Sequence, residues 1–142
     1  MKLQKITPFL WFNYEAAEAA IFYTSVFKNS QIITTGPMVT VFELEGLQVM
    51  AINGGPHYKL TEAFSFYISC DTQEEIDYYW EKLLEGGGQE SRCGWLKDRF
   101  GLSWQVIPSV LPELMNTPEK AQRIVQAFQH IIKFNIQELK NL

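Results

Sequence analysis

The chain repeats itself, and this limits its fold more than any single residue does. The segment "PFLWFNYEAAEAAIFYTSVF", beginning at Pro8, and "SFYISCDTQEEIDYYWEKLL", beginning at Ser65, share one pattern at an offset of 57 (65 − 8). Each opens on a short apolar stretch that predicts a strand. Each continues with a helical stripe: Ala19, Phe22, Tyr23, Val26 and Phe27 in the first, Ile76, Tyr79, Trp80, Leu83 and Leu84 in the second. The 3,1,3,1 spacing puts each set on one face of a helix, and the same face is written twice.

The flanks of the stripes repeat as well. Asp71 stands three residues before Glu74, a capping-box arrangement, and Asn13 is the corresponding candidate N-cap. "EGGGQ", 85–89, predicts the end of the second helix, because glycine accepts a left-handed cap. "FELEGLQVMAI" and "LKDRFGLSWQVI" then match at an offset of 55 from Gly46 to Gly101 (101 − 46), each glycine in a hairpin turn. Every half therefore reads strand, helix, then two or three strands. The modules span about residues 3–54 and 63–108, with "NGGPHYKLTE", 53–62, as the linker.

After Pro108 the repeat stops and a tail, 109–142, begins. "TPEKAQRIVQAFQHII" predicts a helix with Thr117 as N-cap, Pro118 at its first position and Ala121, Ile124, Val125, Phe128, Ile131 and Ile132 on one face. Asn135 and Glu138 are a capping pair for a last short helix. The apolar face of this tail either covers its own domain or helps to form a dimer.

With 142 residues, 46% of them hydrophobic, the chain suits one domain with a substantial core. A net charge of −4 without a Lys/Arg cluster argues against a nucleic-acid surface. No apolar run is long enough for a membrane span and no signal-peptide pattern is present. Cys70 and Cys93 have no metal-type spacing, so a reduced, cytoplasmic protein is the expectation.

The two βαβββ units, with "FY" in the first helix and "D-x-x-G" before the last strand, resemble the vicinal oxygen chelate superfamily. That superfamily includes glyoxalase I, extradiol dioxygenases and the fosfomycin and bleomycin resistance proteins. The chain is most similar to its PhnB-like branch, often labelled 3-demethylubiquinone-9 3-methyltransferase. "ITPFLWF", "FYTSVF", "SFYISCD", "EEIDYYWEKL", "PEKAQRIVQAF" and, most specifically, "CGWLKDRFGLSWQVIP" carry the likeness. It implies an α+β fold of tandem βαβββ modules, a curled mixed-sheet cup with helices outside, plus the helical tail.

Metal-dependent members place His or Glu at four inward strand positions, which project here onto Pro8, Met50, Ser65 and Gln105. A pyrrolidine ring, a thioether, a hydroxyl and a carboxamide are a poor set for a divalent ion, so neither metal nor cofactor is expected. Strand alternation then points Pro8, Leu10 and Phe12 into the cup, with Ser65, Tyr67, Ser69, Ser103, Gln105 and Ile107, and sends Phe9, Trp11, Phe66 and Trp104 toward the helices.

The resulting ligand-site set is Leu10, Phe12, Met50, Ser65, Tyr67, Trp95, Ser103 and Gln105, a lining suited to a small, largely apolar organic molecule. The same side chains could instead close the core on themselves, and Trp95 could wall the pocket or pack structurally. Asp98 and Arg99 read as a surface turn pair. The leading functional expectation is a homodimeric protein that binds a small organic molecule without a catalytic metal. The alternative is an enzyme, either a metal-dependent isomerase, lyase or dioxygenase or the methyltransferase of the family label. Neither "GGG" at 86–88 nor "NGG" at 53–55 has the strand–loop–helix context of a nucleotide-binding loop.

Overall fold

The computed structural model describes residues 2–142, which form two compact units meeting in sequence at Leu60 and Thr61. The first unit contains β1 (Phe9–Phe12), α1 (Ala16–Val26), β2 (Ser30–Thr35), β3 (Val39–Leu44) and β4 (Leu47–Asn53). The second contains β5 (Ser65–Cys70), α2 (Gln73–Leu84), β6 (Gln89–Glu90), β7 (Trp95–Lys97), β8 (Ser103–Pro108), α3 (Leu111–Leu114), α4 (Pro118–Ala127) and α5 (Ile136–Lys140). The sheet orders are β1-β4-β3-β2 and β5-β8-β7-β6, so each is a four-stranded mixed sheet with one parallel pair. The fold class is thus α+β with tandem modules of glyoxalase type and a helical C-terminal tail. Among the described residues no helix is long and apolar enough to cross a membrane.

Each sheet buries one face under its own helix. In the first unit Tyr23 of α1 meets Phe42 of β3 with ring centroids 6.0 Å apart. Register sets the rest of that face: Leu10 lies opposite Ala51, Ala51 opposite Thr40, and all three are buried. In the second unit Ile76, Trp80 and Leu83 of α2 are buried together with Leu96, Trp104 and Val106. The opposite face of each sheet is half-buried or exposed at most positions, apart from Val41, Ser103 and Ile107.

The caps are offset from their sequence expectation. Thr72, not Asp71, caps α2 by accepting from Glu75 N, and the Glu75 carboxylate accepts from Asp71 N at 3.0 Å. Asn13 does not cap α1. Asn53, at the end of β4, accepts from Ala16 N at 2.8 Å instead. Thr117 and Asn135 cap α4 and α5 as expected. The β3–β4 hairpin turns on Glu45 and Gly46, both at positive φ (49° and 86°), as a two-residue primed turn requires.

The tail packs on the second unit. α4 stops at Ala127, short of the predicted Ile132, because the carbonyls of Ile131 and Ile132 accept from Cys93 N and Gly94 N at 2.9 and 2.8 Å. Tertiary hydrogen bonds have replaced helical ones there. Gln73 of α2 donates to Phe134 O and accepts from Ile136 N, while Ile124, Phe134 and Leu139 are buried. A Cβ at Gly94 would come within 2.8 Å of the Phe134 ring, at φ +83°, so this crossing needs glycine.

Candidate functional site

β5, β7 and β8 bring five of the eight expected site residues onto one face. Gln105 lies opposite Tyr67 on one side and Trp95 on the other. Ser103 lies opposite Ser65 and Lys97. Paired residues share a face, so Ser65, Tyr67, Trp95, Lys97, Ser103 and Gln105 form one patch on the side away from α2. Its polar centre is a hydrogen bond of 2.9 Å from Gln105 Nε2 to Ser65 Oγ. The bond uses one amide donor and leaves Gln105 Oε1 as an acceptor. Burial holds the Tyr67 phenol above its ordinary pKa, with the nearby Cys70 thiol adding to the shift, so the ring presents an intact O–H.

At the β6 side of this patch lies a cavity of about 240 Å³, bordered by Trp95, Lys97, Ser103, Gln89 and Glu62 among others. Ser103 is 1% exposed, and its Oγ has no hydrogen-bond partner among the described residues. Lys97 Nζ contacts Glu62 Oε1 at 2.5 Å. That contact, first through the hydrogen bond and then through charge attraction, holds the Glu62 carboxyl below its usual pKa. Glu90 also borders the cavity, but it lies opposite Leu96, on the helix face, where its carboxylate accepts from Trp80 Nε1 at 2.7 Å.

The first strand is turned over relative to the sequence expectation. Leu10 and Phe12 belong to the buried, helix-facing side and are only 2% and 3% exposed. Phe9, opposite Met50, lies on the open face and is 52% exposed. The cause is a single residue. Three residues (13–15) separate β1 from α1, whereas two (71–72) separate β5 from α2. The helices match at 57, but the strands match at 58: Gly54 N bonds Phe12 O just as Ser109 N bonds Cys70 O. A one-residue slip exchanges the two faces of a strand. Trp11 shares the open face with Phe9, not the helix side. Its indole donates to Gly55 O at 2.9 Å and meets the Tyr58 ring edge-on.

Corrected in this way, the first-unit positions are Phe9 and Met50, on the open face of that unit's sheet. The second-unit positions are Gln105 with Ser65 and Tyr67. None carries a carboxylate or an imidazole, and among the described residues no three His, Cys, Asp or Glu side chains gather in a metal-binding group. The residues present therefore do not fit a hard or borderline divalent ion.

Asp98 is a further correction. It is buried, not a surface turn residue. Oδ1 accepts from Phe100 N and Leu102 N at 2.8 and 3.1 Å, and Oδ2 accepts from Trp104 Nε1 at 2.8 Å. It locks the β7–β8 turn and thereby sets the register that delivers Gln105. The sequence carried a signal for this: an aspartate at the head of a glycine turn, followed six residues later by an indole donor. The glycine run after α2 joins a helix to a strand, with Gly86 and Gly87 at positive φ, so it is no phosphate loop. Cys93 donates its thiol to Phe128 O at 3.1 Å, and burial raises its pKa. It is a structural thiol at the tail contact.

Comparison with known proteins agrees with this architecture. Residues 4–107 match the family described as 3-demethylubiquinone-9 3-methyltransferase. The PhnB protein from Bacillus cereus is 33% identical, with 74% of this chain and 99% of that chain covered and a TM-score of 0.67. A glyoxalase-related enzyme from Fulvimarina pelagi is 13% identical over 74% of this chain and 88% of that one, with a TM-score of 0.54. The fosfomycin resistance protein FosX from Listeria monocytogenes, in complex with Mn(II) and sulfate, is 16% identical over 88% and 99%, with a TM-score of 0.56. These last two share the fold alone. No curated protein matches the chain. On the extent of the family match and the likeness to the Bacillus protein, the chain belongs to the PhnB-like 3-demethylubiquinone-9 3-methyltransferase family, whose fold is that of the glyoxalase and bleomycin resistance proteins.

Proposed function

We propose that the protein binds a small organic molecule, largely apolar or aromatic, on the open face of its second sheet, and that it does so without a catalytic metal. The observation that carries this reading is the Gln105–Ser65 hydrogen bond, with Tyr67 and Trp95 flanking Gln105 in the sheet register. Two aromatic walls supply contact area, and one amide and one hydroxyl orient the guest. Ser103 and the adjoining cavity extend the site. Leu10 and Phe12 have no part in it, since both are buried under α1. The donor chemistry supports the metal-free part of this reading, because a carboxamide and a hydroxyl leave a divalent ion short of charge.

The test uses benzyl alcohol as a neutral aromatic probe, titrated by NMR in the presence and absence of a chelator. Saturable binding that perturbs the Gln105 side-chain amide, is indifferent to chelator and weakens about tenfold in Gln105→Leu supports the reading, since one oriented hydrogen bond is worth roughly 0.5–1.5 kcal/mol. Methyl transfer from S-adenosylmethionine to a demethylated quinone would replace it with the enzymatic reading. A homodimer belongs to the same proposal. Ile6 and Phe9, 86% and 52% exposed, leave apolar surface on the first unit that a second copy can cover, and light scattering would then give twice 16.4 kDa.

A further inference from the structure

We infer that the cavity beside Trp95 is a receptor for a carboxylate, in which the Lys97 ammonium and the Ser103 hydroxyl take the anionic end of a small aromatic or apolar acid, and in which Glu62 stands in for that acid while the site is empty. The inference rests on the binding reading above and names the ligand class.

Lys97 and Ser103 are directly opposed across β7 and β8 and therefore neighbours on the open face. Ser103 borders the cavity, and its buried Oγ has no partner among the described residues. Native structures leave few such groups, and a hydroxyl in that position has a donor to give. The Lys97 ammonium already holds a carboxylate, that of Glu62.

The two ends of this ion pair differ in kind. Lys97 projects from a strand and Glu62 from the segment that leads into β5, with side chains 39% and 64% exposed. An ion pair this exposed is weak, so a ligand acid can exchange with Glu62 at little cost. The Lys97 hydrogen bond and charge that lower the Glu62 pKa act in the same sense on any carboxylate in that position.

An organic cation is disfavoured. Lys97, Glu62 and Glu90 all border the cavity, but both carboxylates are engaged there, Glu62 by the Lys97 ammonium and Glu90 by the Trp80 indole, so a cation would have to displace an existing donor. Trp95, two residues before Lys97 and opposite Gln105, supplies the wall for the body of the acid. The volume of about 240 Å³ far exceeds the need of one water, which takes roughly 30 Å³.

Benzoate, benzyl alcohol and benzylamine are titrated against the full chain and against Lys97→Met, Ser103→Ala, Glu62→Gln and Gln105→Leu, with near-UV circular dichroism to confirm that each variant is folded. Benzoate is expected to bind a few-fold tighter than benzyl alcohol while Glu62 competes for Lys97, since an exposed charge pair is worth roughly 0.2–1 kcal/mol. Lys97→Met should abolish that preference and Ser103→Ala should reduce it. Glu62→Gln should tighten benzoate several-fold and leave benzyl alcohol unchanged, an outcome that a merely structural ion pair does not produce. Equal affinity for the three probes, or weaker benzoate binding in Glu62→Gln, overturns the inference. If benzyl alcohol still binds and Gln105→Leu still weakens it, the broader reading survives that failure. If no probe binds, both fall.

Discussion

Asp98→Asn is a small change in shape and a large one in hydrogen bonding. The carboxylate accepts from two backbone N–H groups through Oδ1 and from the Trp104 indole through Oδ2, all within 3.1 Å. The amide can keep the two Oδ1 bonds, but as neutral ones, and it sets an NH₂ group against the indole N–H, donor against donor. Hydrogen bonds to a charged group are worth about 1.5–3 kcal/mol against roughly 0.5–1.5 for neutral pairs, and a buried donor left unpaired costs about 1–3. Relief of the desolvation of a buried charge offsets part of this, which leaves a net loss of about 2–4 kcal/mol. Urea unfolding followed by tryptophan fluorescence reads the change directly. With a slope of about 2 kcal/mol/M, the middle of the usual range for urea, the midpoint should fall by about 1–2 M at constant slope. Trp104→Phe should also destabilise, and the double variant should lose less than the sum of the two single losses, since the carboxylate and the indole share one bond. A loss below about 0.5 kcal/mol, within the range of ordinary surface substitutions, or strict additivity, would refute the assignment of Asp98 as the lock of the β7–β8 turn.

Three further outcomes follow from the same structure. Gly94→Ala places a methyl against the Phe134 ring at a left-handed position, and it should cost about 2–4 kcal/mol and speed amide exchange at Cys93 and Gly94, read by hydrogen-exchange NMR. Burial pushes the Cys70 thiol up to about 12, with Glu75 and Asp71 adding to the shift. The unfolded chain then releases this proton first as pH rises, so stability should decline between about pH 9 and 12, and Cys70→Ala should flatten that decline in pH-dependent denaturation. Inserting one residue between Asp71 and Thr72 lengthens the β5–α2 connection to match that of the first unit. It should be tolerated if only loop length separates the two modules, with a far-UV spectrum like that of the parent.

The helices and the tandem architecture were legible because a 3.6-residue stripe is written locally, and it was written twice. Tyr23 and Trp80, Val26 and Leu83 occupy equivalent buried sites 57 positions apart, as the stripes predict. The facing of β1 was not legible. It depends on whether two or three residues join strand to helix, and both "NYE" and "DT" read as loop. Leu10 and Phe12 were lost from the site for that reason alone. The end of α4 was equally hidden. Phe128, Ile131 and Ile132 continue a helical stripe, but backbone donors at Cys93 and Gly94, some 40 positions earlier in the chain, claim the carbonyls of Ile131 and Ile132. Asp98 looked like a surface turn residue because its third donor, the Trp104 indole, reaches it only once β8 has paired with β7. The second-unit residues Ser65, Tyr67, Trp95, Ser103 and Gln105 emerged on one face because strand alternation holds through β5 and β8 without a bulge.

The most direct test is the affinity of the purified protein for benzyl alcohol, measured on the Gln105 side-chain amide resonance before and after removal of divalent ions, with metal content determined on the same sample. One saturable site of unchanged affinity, in protein that carries no stoichiometric metal, is the expected result. A stoichiometric ion whose removal abolishes binding at Gln105 would contradict it.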